Sequence, residues 1–77
     1  DAPKLIELFA WTEEEFLKKT EGSAIRRIGY ECWLRNIAVA LGNEPHSGAV
    51  TASLSSRVGH PSALVCEHVT WALSQHD

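Results

Sequence analysis

At 77 residues the chain allows one domain with a modest core. Its 44% hydrophobic and 22% charged residues are ordinary for a folded protein and lack the polar signature of disorder. The net charge of -3 gives no bulk sign of nucleic-acid binding, and no apolar run approaches a membrane span.

The charge is unevenly placed. Asp1, Glu7, Glu13, Glu14 and Glu15 face only Lys4 in the first fifteen residues. Lys18, Lys19, Arg26, Arg27 and Arg35 then cluster, with Glu21 and Glu31 as the acids among them. The chain begins at Asp1 and holds no methionine, so we expect a piece excised from something longer. The two cysteines, Cys32 and Cys66, lie in apolar helical patterns and read as buried free thiols.

Helix signals recur along the chain, and no segment alternates as a strand would. Asp1 can cap a first helix whose apolar side is Leu5, Ile6, Leu8 and Phe9, with Pro3 in its first turn. Thr12 and Glu15 form a capping box that opens a second helix to about Thr20, anchored by Phe16 and Leu17 and stopped by Gly22. Ser23 then caps a long third helix expected from Ala24 to Leu41, with Gly42–Asn43 ending it in a left-handed turn. A fourth helix is expected from about Ala49 to Val58, with Val50 and Leu54 inward. A fifth follows Pro61 to about Ser74, with Val65, Val69, Ala72 and Leu73 as its core stripe.

The stretch "LRNIAVAL" (Leu34 to Leu41) is echoed 32 residues later by "CEHVTWAL" (Cys66 to Leu73). Ile37 aligns with Val69, Ala40 with Ala72, and Leu41 with Leu73. Such an echo is how stacked helical repeats are written, because one helix pair cannot bury its own face.

On a helical wheel of about 100° per residue, the third helix is apolar around most of its circumference. Ile25, Ile28, Cys32, Val39 and Ala40 share one broad face, and Ile37, Leu41 and Leu34 lie on an adjoining one. Arg27, Glu31 and Arg35 are spaced to pair with one another. Arg26 falls near Trp33 and Tyr30 and must snorkel or stack. Asn36 is expected in the middle of the apolar face, bonded to a neighbouring helix end.

The residues for chemistry in place are few. No C-x-x-C or H-E-x-x-H spacing joins the four histidines to the cysteines, and no glycine-rich phosphate loop occurs. The "TEEEF" carboxylates read as helix capping. We therefore expect no catalytic residue and no metal ligand in this chain. The candidate working surface is the basic band: Arg26, Arg27 and Arg35 first, then Lys18 and Lys19, as phosphate contacts that position without reading sequence.

The pieces "LIELFAWTEEEF", "GSAIRRIGYECWLRN", "AVALGN" and "HPSALVCEHVTWAL" together resemble the C-terminal region of bacterial epoxyqueuosine reductases. The resemblance covers nearly all of the chain. It implies an all-α fold of about five helices in a HEAT-like, right-angled α–α repeat stack, residues 1–77 forming one C-terminal domain. It implies a cytoplasmic parent enzyme that reduces epoxyqueuosine to queuosine in tRNA with cobalamin and two 4Fe–4S clusters. The cluster ligands of that family form C-x-x-C-x-x-C-x-x-x-C-P runs in preceding portions, and none occurs here. The partners implied are a queuosine-type tRNA anticodon stem-loop and the upstream catalytic and ferredoxin-like domains. A protein–protein adaptor and a structural cap on the catalytic body are the alternative roles.

Overall fold

The computed structural model describes residues 1–77 and is all-helical, with no strand. Helix α1 spans Ala2–Phe9 and α2 spans Glu13–Lys19. A 3₁₀ segment, Ala24–Ile28, precedes α3, Tyr30–Gly42. Helices α4, Gly48–Ser55, and α5, Ala63–Ser74, complete the chain. No helix is long and apolar enough to cross a membrane.

Local chemistry accounts for the starts. The Asp1 carboxylate accepts from the Lys4 amide at 3.0 Å. Thr12 and Glu15 close their box in both directions, Thr12 N donating to Glu15 Oε1 at 3.0 Å and Glu15 N to Thr12 Oγ1 at 3.2 Å. Ser47 and Ser62 cap α4 and α5 in one direction, their hydroxyls accepting first-turn amides.

The box has a pH signature. The Thr12 backbone N–H, and then its hydroxyl, hold the Glu15 carboxyl below its ordinary value of 4.5. A carboxylate whose folded-state pKa is depressed stabilises the fold above that ordinary value and loses the contribution as pH falls through the folded one. In Glu15→Gln we expect the decline of the melting temperature on acidification below pH 4.5 to be shallower than in the wild type. Parallel melting curves across that range would refute it.

The helices assemble in two layers. The N-termini of α3 and α5 lie together, where Ser62 Oγ donates to Glu31 Oε2 at 2.9 Å. Their C-termini also lie together, where the His76 ring donates Nε2–H to the Leu41 carbonyl at 2.8 Å. The two helices therefore run parallel and make the most extensive helix pair of the fold. Helices α1 and α4 likewise share their C-terminal ends, joined by Arg57 Nη2 donating to the Phe9 carbonyl at 3.0 Å. Helix α1 packs on α3, and α4 on α5, closing a slab of 38 × 25 × 16 Å. The sequence echo thus has a structural counterpart: equivalent octapeptides on parallel neighbouring helices.

Between the layers sits one core of Phe9, Leu34, Ile37, Ala38, Leu41, Val50, Leu54, Val65, Val69 and Ala72. Phe16 is fully buried apart from it, against Tyr30 and Trp33, whose rings lie 5.8 and 5.3 Å away. Trp33 in turn stacks on Trp11 at 5.3 Å.

Several sequence expectations need correction. The third helix does not run from Ala24 to Leu41. Gly29 adopts φ +83°, a conformation other residues avoid, and divides the span into a 3₁₀ segment and α3. Ile25 and Ile28 are consequently exposed rather than packed, and Leu17 is exposed too. Gly42 does not end its helix left-handed, since the cap Asn43 has φ −92°. It is needed for space: a Cβ there would stand 2.6 Å from Trp71 Cζ3 and 3.0 Å from Ala72 Cα. Helix α4 stops at Ser55, short of Val58.

Asn36 is exposed and accepts from Arg35 Nε at 2.8 Å. The buried face of α3 is centred on Leu34, Ile37, Ala38 and Leu41, almost opposite Asn36 on the wheel. Glu31 pairs with neither arginine and serves Ser62 instead. Both cysteines are free but only half-buried, and Cys66 Sγ–H donates to the His60 carbonyl at 2.8 Å.

Candidate nucleic-acid interface

The 3₁₀ segment owes its shape to two glycines. Gly22 at φ +74° turns the chain out of α2, and Gly29 turns it into α3. Ser23 Oγ accepts from the Ile25 amide at 3.2 Å and starts the segment. Every residue from Glu21 to Ile28 is exposed, and the segment's main packing is against α3. The side chains between the glycines are thereby presented to solvent.

Arg26 and Arg27 line an open cleft of about 690 Å³ with Leu17, Gly22, Ser23 and Ala24. No carboxylate comes within 4.0 Å of either guanidinium, because the single ion pair of the fold joins Lys4 and Glu7 at the far end of the sequence. Two cations free of internal partners flank a cleft whose floor is partly apolar. Such a surface can take a phosphate group with both guanidinium forks unspent.

The other basic residues are dispersed. Lys18 and Lys19 are exposed in the last turn of α2, but Lys19 Nζ sits 5.3 Å above the Trp11 ring. Arg35 is half-buried on α3 and engaged by Asn36. Neither lysine nor Arg35 lines the cleft. The band read from the sequence thus separates into Arg26 and Arg27, unengaged on the cleft, Lys18, free but outside it, and Lys19 and Arg35, engaged elsewhere. Arg26 does not stack on Trp33 or Tyr30; the guanidinium over the Tyr30 ring, 6.0 Å away, is that of Arg57.

Arg57 escaped the sequence reading. It follows the end of α4 and donates to the carbonyls of both Phe9 and Trp11. The Tyr30 hydroxyl donates to the same Trp11 carbonyl at 2.5 Å. Burial raises the Tyr30 pKa above the ordinary tyrosine value, with Arg57 pulling it back. No local pattern announces this role, since it depends on a loop 46 residues away in sequence.

No group of three or more His, Cys, Asp or Glu side chains is placed to hold a metal ion. A 4Fe–4S cluster takes four thiolates, and the chain supplies two cysteines on separate helices, so its residues do not fit such a group.

Comparison with known proteins places these features in a family. No protein-family model matches the chain, and no solved structure gives a significant match. Among curated proteins, the chain is 65% identical over 75 residues to the epoxyqueuosine reductase of Shigella dysenteriae, covering 96% of this chain and 19% of that protein. It is 64% identical over 75 residues to the Escherichia coli enzyme, with the same coverage. It is 59% identical over 76 residues to the Pseudomonas aeruginosa enzyme, covering 99% of this chain and 21% of that protein. The chain spans about a fifth of the length of these relatives. Identity of this degree, held over nearly every residue, means that the chain belongs to the epoxyqueuosine reductase family, as the counterpart of a C-terminal part of its members.

Proposed function

We propose that these 77 residues are the accessory, non-catalytic helical part of an epoxyqueuosine reductase, an oxidoreductase of queuosine biosynthesis in tRNA. In this reading the domain is HEAT-like, works in the cytoplasm, packs on the catalytic body and helps hold the tRNA. Cobalamin and two 4Fe–4S clusters belong to the body, and no residue of this chain is assigned to them. The relatives' shared name and high identity support the enzyme assignment. The observation that carries the tRNA role is the pair Arg26 and Arg27, exposed on a glycine-bounded segment with no acidic partner.

Phosphate contacts release counterions, so log K falls linearly with log salt in proportion to the number of contacts. A queuosine-type tRNA should bind the chain weakly and with steep salt dependence. The double variant Arg26→Ala/Arg27→Ala should lower the magnitude of that slope by about 1 to 2. Lys19→Ala should move it less, because its ammonium is already seated on Trp11. An unchanged slope in the double variant would sink the tRNA role and favour the structural cap.

A further inference from the structure

On the outer face of the α3–α5 layer lies a second surface, made by the side of α3 that the core leaves free. A groove of about 280 Å³ runs there between Val39 of α3 and Glu67, His68 and Trp71 of α5. Trp71 is 40% exposed, a large apolar ring left in solvent on an otherwise well-packed helix. It is nevertheless held in place. The edge at Cζ3 rests where Gly42 lacks a Cβ, and an added methyl would collide with it at 2.6 Å. The absence of a side chain at Gly42 is what lets this ring lie against α3.

The polar groups beside the ring are Glu67 and His68. Glu67 is exposed, and no cation comes within 4.0 Å of its carboxylate. The His68 ring lies with Nδ1 2.8 Å from the Leu64 carbonyl. A carbonyl only accepts, so Nδ1 carries a proton and is spent on its own helix. An aromatic face beside an unpaired carboxylate is complementary to a planar cation. Arg35 lies one turn before Val39 but spends its Nε on Asn36.

We propose that the α3–α5 groove is a seat for an arginine side chain presented by a protein partner, its guanidinium stacked on Trp71 and forked to the Glu67 carboxylate. Arginine fits better than lysine because its planar head can stack on the indole and bond a carboxylate at once. A phosphate backbone would meet Glu67 as a like charge. The groove and the Arg26–Arg27 cleft therefore select opposite chemistries, and this proposal stands whether or not the cleft binds tRNA.

The test is a titration of the ¹⁵N-labelled chain with a blocked arginine tripeptide, acetyl-Gly-Arg-Gly-amide, followed by NMR. The expected result is saturable shifts of the Trp71 indole N–H and the Glu67 and His68 amides. Affinity should fall about fivefold or more in Glu67→Gln, a change at an exposed, unpaired side chain that leaves the fold intact. The lysine tripeptide should bind more weakly than the arginine one. Arg26→Ala/Arg27→Ala should leave these shifts unchanged, which separates this seat from the tRNA reading. Equal affinity of wild type and Glu67→Gln would overturn the proposal. So would shifts produced by a single-stranded RNA hexamer and not by the arginine peptide, which would make Trp71 a base-stacking platform.

Discussion

Leu34→Ala is expected to destabilise the fold by about 3 kcal/mol, within the usual range of about 2–5 for emptying a packed leucine site. Leu34 is fully buried at the centre of the single core, on the helix that touches every other helix. Because α3 is held by α5 beside it and by α1 across the layers, the walls of the cavity have little freedom to close. A chain of this length has a stability of roughly 4–12 kcal/mol. The loss should lower the melting midpoint by roughly 10–25 °C. Thermal unfolding followed by circular dichroism reads it directly. A shift under about 4 °C would mean the layers can re-close around the missing side chain. Leu41→Ala, equally buried, should behave alike.

The second large effect is expected at Arg57. Its Nε and Nη2 donate to the Phe9 carbonyl at 3.2 and 3.0 Å, and Nη2 also donates to the Trp11 carbonyl at 3.0 Å. These acceptors belong to the end of α1 and the turn after it, where helical carbonyls run out of amide partners. The guanidinium also lies 5.7 Å from the Phe9 ring centroid. Arg57→Ala removes charge-assisted bonds and uncovers apolar surface, so we expect a loss of about 2–3 kcal/mol. Arg57→Lys keeps the charge but not the fork, and should recover less than half. Tyr30→Phe removes the other donor to the Trp11 carbonyl. The two changes act on one acceptor, so their effects should not add in a double-mutant cycle. Additivity, or a loss below about 0.5 kcal/mol for Arg57→Ala, would show the clamp to be incidental.

The sequence was informative where local rules decide. Asp1 and the Thr12–Glu15 box satisfy amides within four residues, and the structure has them as read; Ser23 also caps, but it starts a 3₁₀ segment and not the long helix expected. The inward set of α5, Val65, Val69 and Ala72, follows from period alone. The eight-residue echo foretold that α3 and α5 would be equivalent neighbours. Glycine is where the pattern misleads. A continuous periodic reading runs through Gly29, although a glycine in a helix interior costs about 1 kcal/mol relative to alanine. Without that break the wheel adds Ile25, Ile28, Cys32, Val39 and Asn36 to a buried circumference that the structure confines to the side of Leu34, Ile37, Ala38 and Leu41. Gly42 reads as a turn residue, but its reason is a neighbour's ring. Arg57 and the Trp71 groove were invisible for a different reason. Both arise where chain segments far apart in sequence meet, and no window of adjacent residues contains them.

The shared direction of α3 and α5 also gives the slab an electrical polarity. Aligned peptide dipoles in neighbouring parallel helices repel along their sides and concentrate partial positive charge at one end of the pair and partial negative charge at the other. The Glu31 carboxylate stands at the positive end, in the first turn of α3 and bonded to the N-cap of α5. At the negative end the buried His76 imidazole offers its N–H to the last turn of α3. Two side chains 45 positions apart thus offset opposite poles of a single helix pair, one as a carboxylate and the other as a hydrogen-bond donor.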